Sequence, residues 1–332
     1  MNSSHPLRFG LIGCGRIAQS HIEALGALGE SELVAIAEPR EAAGRAAAEG
    51  AHATWFAEAT DPALAEMVDA VVVCSPPSTH HGIVRHFLER DKHVLCEKPL
   101  TLKAIDAEAL TRLADERERQ LMMASKFRYV DDVIKAKAII EAGILGEVIQ
   151  FENVFTGKVL MKDRWNADPA VSGGGVLIDN GSHSVDIARY LLGPVVSVQA
   201  QPGAQGQGLS VEDTVHVMLR TQSGVIGNID LSWTIHKETP WYISVFGREG
   251  SLHIGWQGSQ YRQDGSSRWI RFGTGYDKVA AFQNQLQNFI DAVRGRAAPL
   301  IRPEDALASV QVIEAAYRSM GADKWQLVGA AA

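Results

Sequence analysis

Short apolar runs separated by amphipathic stretches fill the first third of the chain. Leu7-Arg-Phe-Gly-Leu-Ile12 and Leu33-Val-Ala-Ile-Ala37 are too short for helices and apolar enough for buried strands. Ala70–Val73, His93–Cys96 and Leu121–Ala124 repeat the pattern. Between them the spacing predicts helices: one with Ala18, Ile22 and Leu25 on one face, one from Ser78 to Glu89, and one from Thr101 to Arg119. Strands alternating with helices predict a parallel, doubly wound α/β sheet of the Rossmann type over residues 1–124.

Beyond residue 124 the rhythm changes. An amphipathic helix is predicted from Asp131 to Glu141, then a strand from Val148 to Phe155. Val176, Leu177, Ile178, Val185, Ile187, Ala188, Tyr190, Leu191 and Leu192 read as a buried helix, which Gly193-Pro194 stops. Strands without intervening helices follow at Val195–Ala200, Thr214–Arg220, Val225–Thr234 and Trp241–Phe246, arguing for a largely antiparallel sheet. Gln199 to Ser210 reads as a long loop, and closing helices are predicted from Lys278 to Val293 and from Pro303 to Tyr317. Residues 125–332 are thus expected to form a second, α+β domain.

The totals narrow the partners. A chain of 332 residues is long enough for two domains with real cores. A formal charge of −7, with no cluster of Lys and Arg, argues against nucleic acid and anionic membrane surfaces. Cys14, Cys74 and Cys96 lack C-x-x-C spacing and sit in or beside apolar runs, so they read as buried, reduced thiols. No apolar stretch reaches membrane-spanning length, and the first strand begins too early for a signal peptide. The expected compartment is the cytoplasm.

The first strand runs into Gly13-Cys14-Gly15-Arg16-Ile17-Ala18 and then a helix. Strand, G-x-G-x-x-A, helix is the context of a dinucleotide fingerprint. Gly13 makes the turn, Gly15 lets backbone N–H groups reach a pyrophosphate, and Ala18 lets helix and strand pack closely. Cys14, Arg16 and Ile17 share that loop. Glu38, at the end of the second strand, stands where a carboxylate grips the ribose diol of NAD and repels the 2′-phosphate of NADP. Arg40 tempers that choice, so NAD is expected and NADP stays possible. Two further strand ends carry unusual chemistry, Ser75, Pro76 and His80 at one and Glu97-Lys98-Pro99 at the next. Both are expected to face the cofactor, with proline fixing the direction of Lys98.

The second cluster is Ser172 to Asp186, S-G-G-G-V-L-I-D-N-G-S-H-S-V-D. Asp179, His183 and Asp186 fall at i, i+4 and i+7 on one face of the predicted helix. Ionisable groups on an otherwise apolar helix are expensive unless partnered or used. The triple glycine lets something approach the backbone closely or lets the chain turn sharply. Arg128 and the loop residues Arg164 and Trp165 are counted as substrate contacts, although cations beside an aromatic also suit an ordinary surface loop. Trp233 and His236 read as a packed Trp and a surface His. No set of His, Cys and carboxylates has metal-ligand spacing, so no metal is expected.

Gly13-x-Gly15-x-x-Ala18, Glu97-Lys98-Pro99 and the Gly-rich D-x-x-x-H helix together resemble the glucose–fructose oxidoreductase/inositol dehydrogenase (Gfo/Idh/MocA) family, over nearly the whole chain and in the family's order. The resemblance implies a nucleotide domain followed by a domain whose open antiparallel sheet mediates a homodimer or homotetramer. It also implies hydride transfer between a nicotinamide cofactor and a hydroxyl-bearing carbon of a sugar, cyclitol or similar polyhydroxylated compound. It makes Lys98, Asp179 and His183 the catalytic group. A histidine's unperturbed pKa lies near neutrality, so His183 suits the proton acceptor, Lys98 the stabiliser of alkoxide charge, and Asp179 the residue that orients His183 or holds a hydroxyl. A Lys98 base is the alternative. Two other classes stand beside this one: a redox-assisted glycosidase on the same scaffold, and a regulatory protein that binds nucleotide without catalysis.

Overall fold

In the computed structural model, which describes residues 5–329, the chain divides into two compact units. One runs to Lys126 and takes back Val279–Leu307; the other comprises Phe127–Lys278 and the chain from Ala308 onward.

The first unit is built on six parallel strands, β1 (Leu7–Ile12), β2 (Ser31–Ala37), β3 (Thr54–Phe56), β4 (Ala70–Val73), β5 (His93–Glu97) and β6 (Leu121–Ala124). Their spatial order is β3-β2-β1-β4-β5-β6, so the winding reverses between β1 and β4. Ligands of doubly wound sheets bind at that switch point, outside the carboxyl ends of the strands. The connections carry α1 (Arg16–Ala27), α2 (Glu41–Ala51), α3 (Pro62–Met67), α4 (Pro77–Leu88) and α5 (Ala104–Glu116). Strands β4 and β6 are buried at every position, as expected of strands covered on both faces. The buried face of α1 differs from the expectation: His21 and Ala24 lie inside with Ala18 and Leu25, and Ile22 is only half-buried.

The second unit opens with α6 (Asp131–Glu141) and β7 (Val148–Thr156), followed by a short α7 (Pro169–Ser172) and α8 (Val176–Leu192). Then come β8 (Val195–Pro202), β9 (Thr214–Thr221), β10 (Ile226–Ser232), β11 (Trp241–Gly247), β12 (Gly250–Gly255), β13 (Ser259–Gln263), β14 (Ile270–Gly273) and, near the end, β15 (Gln326–Leu327). These make a nine-stranded sheet ordered β14-β13-β12-β11-β7-β10-β9-β8-β15. It is antiparallel except for β7 and β10, which run parallel in the centre because α8 and two strands separate them in the chain. Strand β8 continues to Pro202, so the expected loop from Gln199 begins as strand. Helix α8 packs on β7, β9 and β10, and α6 on β12 and β14. Strand β9 alternates to match, burying Val215, Val217 and Leu219 while exposing His216 and Arg220. The opposite face carries an aromatic row, with His253 stacked on Trp241 and packed against Phe246 and Trp269.

Helices α9 (Lys278–Val293) and α10 (Pro303–Ala322) close the chain. Nearly all of α9, expected in the second domain, belongs to the first unit. Its Phe289 packs on Phe9 of β1 and its Phe282 lies edge-on to His21 of α1. Among the described residues no helix is long and apolar enough to cross a membrane.

Candidate active site

The glycine loop between β1 and α1 has the shape a pyrophosphate requires. Gly13 has φ +92°, and a Cβ there would meet the backbone nitrogen of Ser75 at 2.9 Å, so no other residue fits. Above Gly15 a Cβ would meet nothing within 4 Å, and among the described residues no side chain caps α1, whose N-terminus suits an anion. Arg16 beside it is exposed and Ile17 half-buried.

Glu38 closes the loop from the end of β2. Its carboxylate accepts the N–H of Cys14 at 2.7 Å and that of Arg40 at 3.1 Å, while the Arg40 guanidinium donates from Nε (2.6 Å) and Nη2 (3.0 Å). Burial pushes the Glu38 proton affinity up, but the Arg40 and Cys14 bonds outweigh it and hold the pKa below the usual value. The group is therefore an anion aimed at the loop. Arg40, mostly exposed, partly neutralises it and tempers repulsion of a 2′-phosphate. Burial, with Glu38 next, raises the Cys14 thiol to about 11, so it stays protonated. These residues fit a bound dinucleotide.

At the end of β4, the Ser75 hydroxyl is 2.7 Å from that of Thr79, and Pro76 precedes the first turn of α4. His80 was expected among the cofactor contacts. It is fully buried, with Nδ1 2.8 Å from the carbonyl oxygen of Pro99 and Nε2 2.8 Å from that of Ser75. Its imidazole ties two strand-end turns together. Burial lowers its pKa against the pull of those carbonyls. Glu97 is likewise buried. Its Oε1 accepts from His21 Nε2 at 2.9 Å, and its Oε2 accepts the N–H of half-buried Lys98 at 3.2 Å.

In the second unit, Asp179 and His183 stand one turn apart on α8, both half-buried, and the His183 ring lies edge-on to Phe127 at 5.1 Å. Asp186 shares their face of the helix but is sealed. Arg128 grips it from Nε (2.9 Å) and Nη2 (2.6 Å), with both side chains almost wholly out of solvent. That fork answers the cost of an acid on an apolar helix and ties Arg128, expected among the substrate contacts, to α8.

The triple glycine lets its neighbours approach the backbone closely. A Cβ on Gly174 would stand within bonding distance of the Tyr317 hydroxyl, and one on Gly175 would strike the backbone of Glu212. Gly173, at φ +82°, ends α7. Glu212 in turn caps α8. Its Oε1 accepts the N–H groups of Gly175 (2.9 Å) and Leu177 (3.2 Å) and the Tyr317 hydroxyl (2.8 Å).

Residues 7–125 match the family described as "Oxidoreductase family, NAD-binding Rossmann fold" and residues 133–253 the "GFO/IDH/MocA C-terminal domain". The chain is 30% identical to inositol 2-dehydrogenase of Rhizobium meliloti (strain 1021), over 97% of this chain and 98% of that one. The chain belongs to the Gfo/Idh/MocA family. It is 27% identical to scyllo-inositol 2-dehydrogenase (NAD(+)) of Bacillus subtilis (strain 168), over 95% and 94% of the two chains. Among solved structures it resembles GenD2 from gentamicin A biosynthesis in complex with NAD, at 27% identity and a TM-score of 0.86, covering 99% and 98%. As a Gfo/Idh/MocA member it is an oxidoreductase whose cofactor is a nicotinamide dinucleotide, and the fit of the glycine loop and Glu38 agrees.

The loop after β7 keeps both expected substrate contacts at or near the surface, Arg164 half-buried and Trp165 exposed. It is held by Gln207, which accepts the N–H of Met161 (3.0 Å) and donates to the carbonyls of Val159 and Trp233 (3.0 Å each). Trp233 is buried and His236 exposed, each as expected. His21, Gln207 and Glu212 were not singled out from sequence. Only His21 left a signal, as a polar residue three after Ala18 on the packed face of α1.

Proposed function

We propose that this protein oxidises a secondary hydroxyl of a cyclitol or related sugar ring, with NAD as the hydride acceptor and Lys98, Asp179 and His183 at the reacting carbon. The observation that carries the reading is the Asp179–His183 pair. These two ionisable groups stand one turn apart and half-buried on a largely buried helix, in a chain alike end to end to inositol 2-dehydrogenase.

NAD, when bound, supplies the electrophile that takes the hydride; the chain supplies the rest. His183 accepts the hydroxyl proton, since a neutral imidazole is a base matched to neutral pH. Lys98 donates to the same oxygen and stabilises the negative charge that grows as the proton leaves. Asp179, on the same face of α8, orients the imidazole and takes a neighbouring hydroxyl. Glu38 holds the ribose diol at the far end of the dinucleotide. The three cysteines are free thiols, which suits a reducing compartment, and the reading places the enzyme in the cytoplasm.

The test is a panel of myo-inositol, scyllo-inositol, free hexoses and pentoses, uronic acids and nucleotide sugars with NAD and NADP, following reduced cofactor. Turnover with a cyclitol or sugar, lowered by roughly two to four orders of magnitude in Lys98→Met, is expected. Release of an aglycone from glycosides with no net reduced cofactor would move the protein to the redox-assisted glycosidases. Tight NAD binding with neither reaction would make it a sensor.

A further inference from the structure

Two fully buried histidines hold the segment that carries Lys98, one on each side. On one side His21 Nε2 donates to Glu97 Oε1 at 2.9 Å, and the other oxygen of that carboxylate accepts the Lys98 N–H at 3.2 Å. On the other side His80 sits 2.8 Å from the carbonyl oxygen of Pro99. His21 is the more telling of the two. Its Nδ1 is buried and has no hydrogen-bond partner among the described residues, and its ring rests edge-on against Phe282. A position that only had to fill the seam between α1 and α9 would be served better by leucine or methionine, because an unsatisfied buried nitrogen costs stability. What the imidazole adds is its bond to Glu97. That carboxylate is itself expensive inside: burial pushes its pKa up, and the His21 bond and the charges of Lys98 and Lys126 hold it below the ordinary value.

We propose that His21 is a positioning residue that acts through Glu97 to fix the amide, and so the side-chain direction, of Lys98. This rests on the role of Lys98 proposed above. Carboxylates accept on two oxygens at once, so Glu97 converts the fixed place of a helix residue into a fixed orientation of the strand-end residue. With His21 gone, the carboxylate rotates towards other partners and the Lys98 amide is released. A lysine with four rotatable bonds then samples directions that miss the reacting oxygen.

The experiment is a double-mutant cycle on the full-length enzyme, with the panel compound that turns over fastest as substrate. His21→Phe keeps the ring and removes the hydrogen bond; His21→Gln restores a donor near the place of Nε2. Expected is a fall in kcat of about 10- to 100-fold for His21→Phe with the Kd for NAD moving less than about threefold, and recovery of most of kcat in His21→Gln. In a Lys98→Met background His21→Phe should cost less than about twofold more, since there is no lysine left to aim. Independently of turnover, hydrogen exchange of the Lys98 amide should quicken by about tenfold or more in His21→Phe while that of Val72 in β4 stays unchanged. Should His21→Phe fail to fold, Glu97→Gln carries the same cycle. An equal fractional loss in both backgrounds, or wild-type kcat in His21→Phe, overturns the proposal and leaves Lys98 in its role. Wild-type turnover in Lys98→Met overturns the role of Lys98 itself.

Discussion

Single side chains in this protein are decided by what their charge meets. Glu38, Glu97 and Asp186 are all buried carboxylates, yet they face a backbone loop, a histidine and an arginine fork respectively. Only Glu38 was readable beforehand, because the β–α–β spacing that follows a glycine loop puts an acid there for a geometric reason. The partners of His80 and Arg128 were hidden, because a sequence shows a polar residue beside a site but not what it bonds. The partners are Ser75 and Pro99 for one and Asp186, 58 positions away, for the other. Glu38→Ala removes a charged acceptor and the Cys14 tether together, so NAD should bind about tenfold or more weakly, and the preference over NADP should narrow. Titration of bound cofactor fluorescence checks it; a wild-type protein that holds NADPH more tightly than NADH would make Arg40 the determinant instead.

Among the elements, α8 carries the most constraint. Its N-terminus is closed by Glu212, its approach is threaded through glycines that admit Tyr317 and the Glu212 backbone, and its third turn is pinned by Arg128. The rigidity matters because Asp179 and His183 ride on it. Arg128→Met should strand the Asp186 carboxylate in the core and lower stability by about 3–5 kcal/mol, and Arg128→Met with Asp186→Leu should recover much of the loss. Chemical denaturation of the two variants measures both. The helices with clean apolar periodicity were legible: α6 and α9 begin and end at the expected residues. Strands β12, β13 and β14 were missed. They are short, carry Gly, Ser, Gln and Arg, and owe their strand conformation to pairing with neighbours already in the sheet. The central parallel pair was hidden for a related reason, since sequence order gives no sign that β7 lies beside β10.

At the scale of the molecule, the two-part architecture was plain from the switch in rhythm near residue 124, while the return of α9 to the first unit was not. Its amphipathic pattern says that it packs, not on what. The aromatic row of Trp241, Phe246, His253 and Trp269 lies on the sheet face away from α8. We infer that this face pairs with another copy, giving a homodimer or homotetramer. Light scattering at micromolar concentration should return a multiple of 36.0 kDa, and a monomer mass would contradict the pairing. The proposed function divides the work at the reacting carbon between Lys98 and His183. The pH dependence of alcohol oxidation tests that division of labour most directly. A proton acceptor must be neutral to work, so the wild-type rate should be low where His183 is protonated and rise with pH through one ionisation near neutrality. His183→Ala should lose roughly two to four orders of magnitude in kcat, keep its NAD affinity, and lose that rising limb. A His183→Ala enzyme that keeps the wild-type pH profile would contradict the account and place the base on Lys98 or on water.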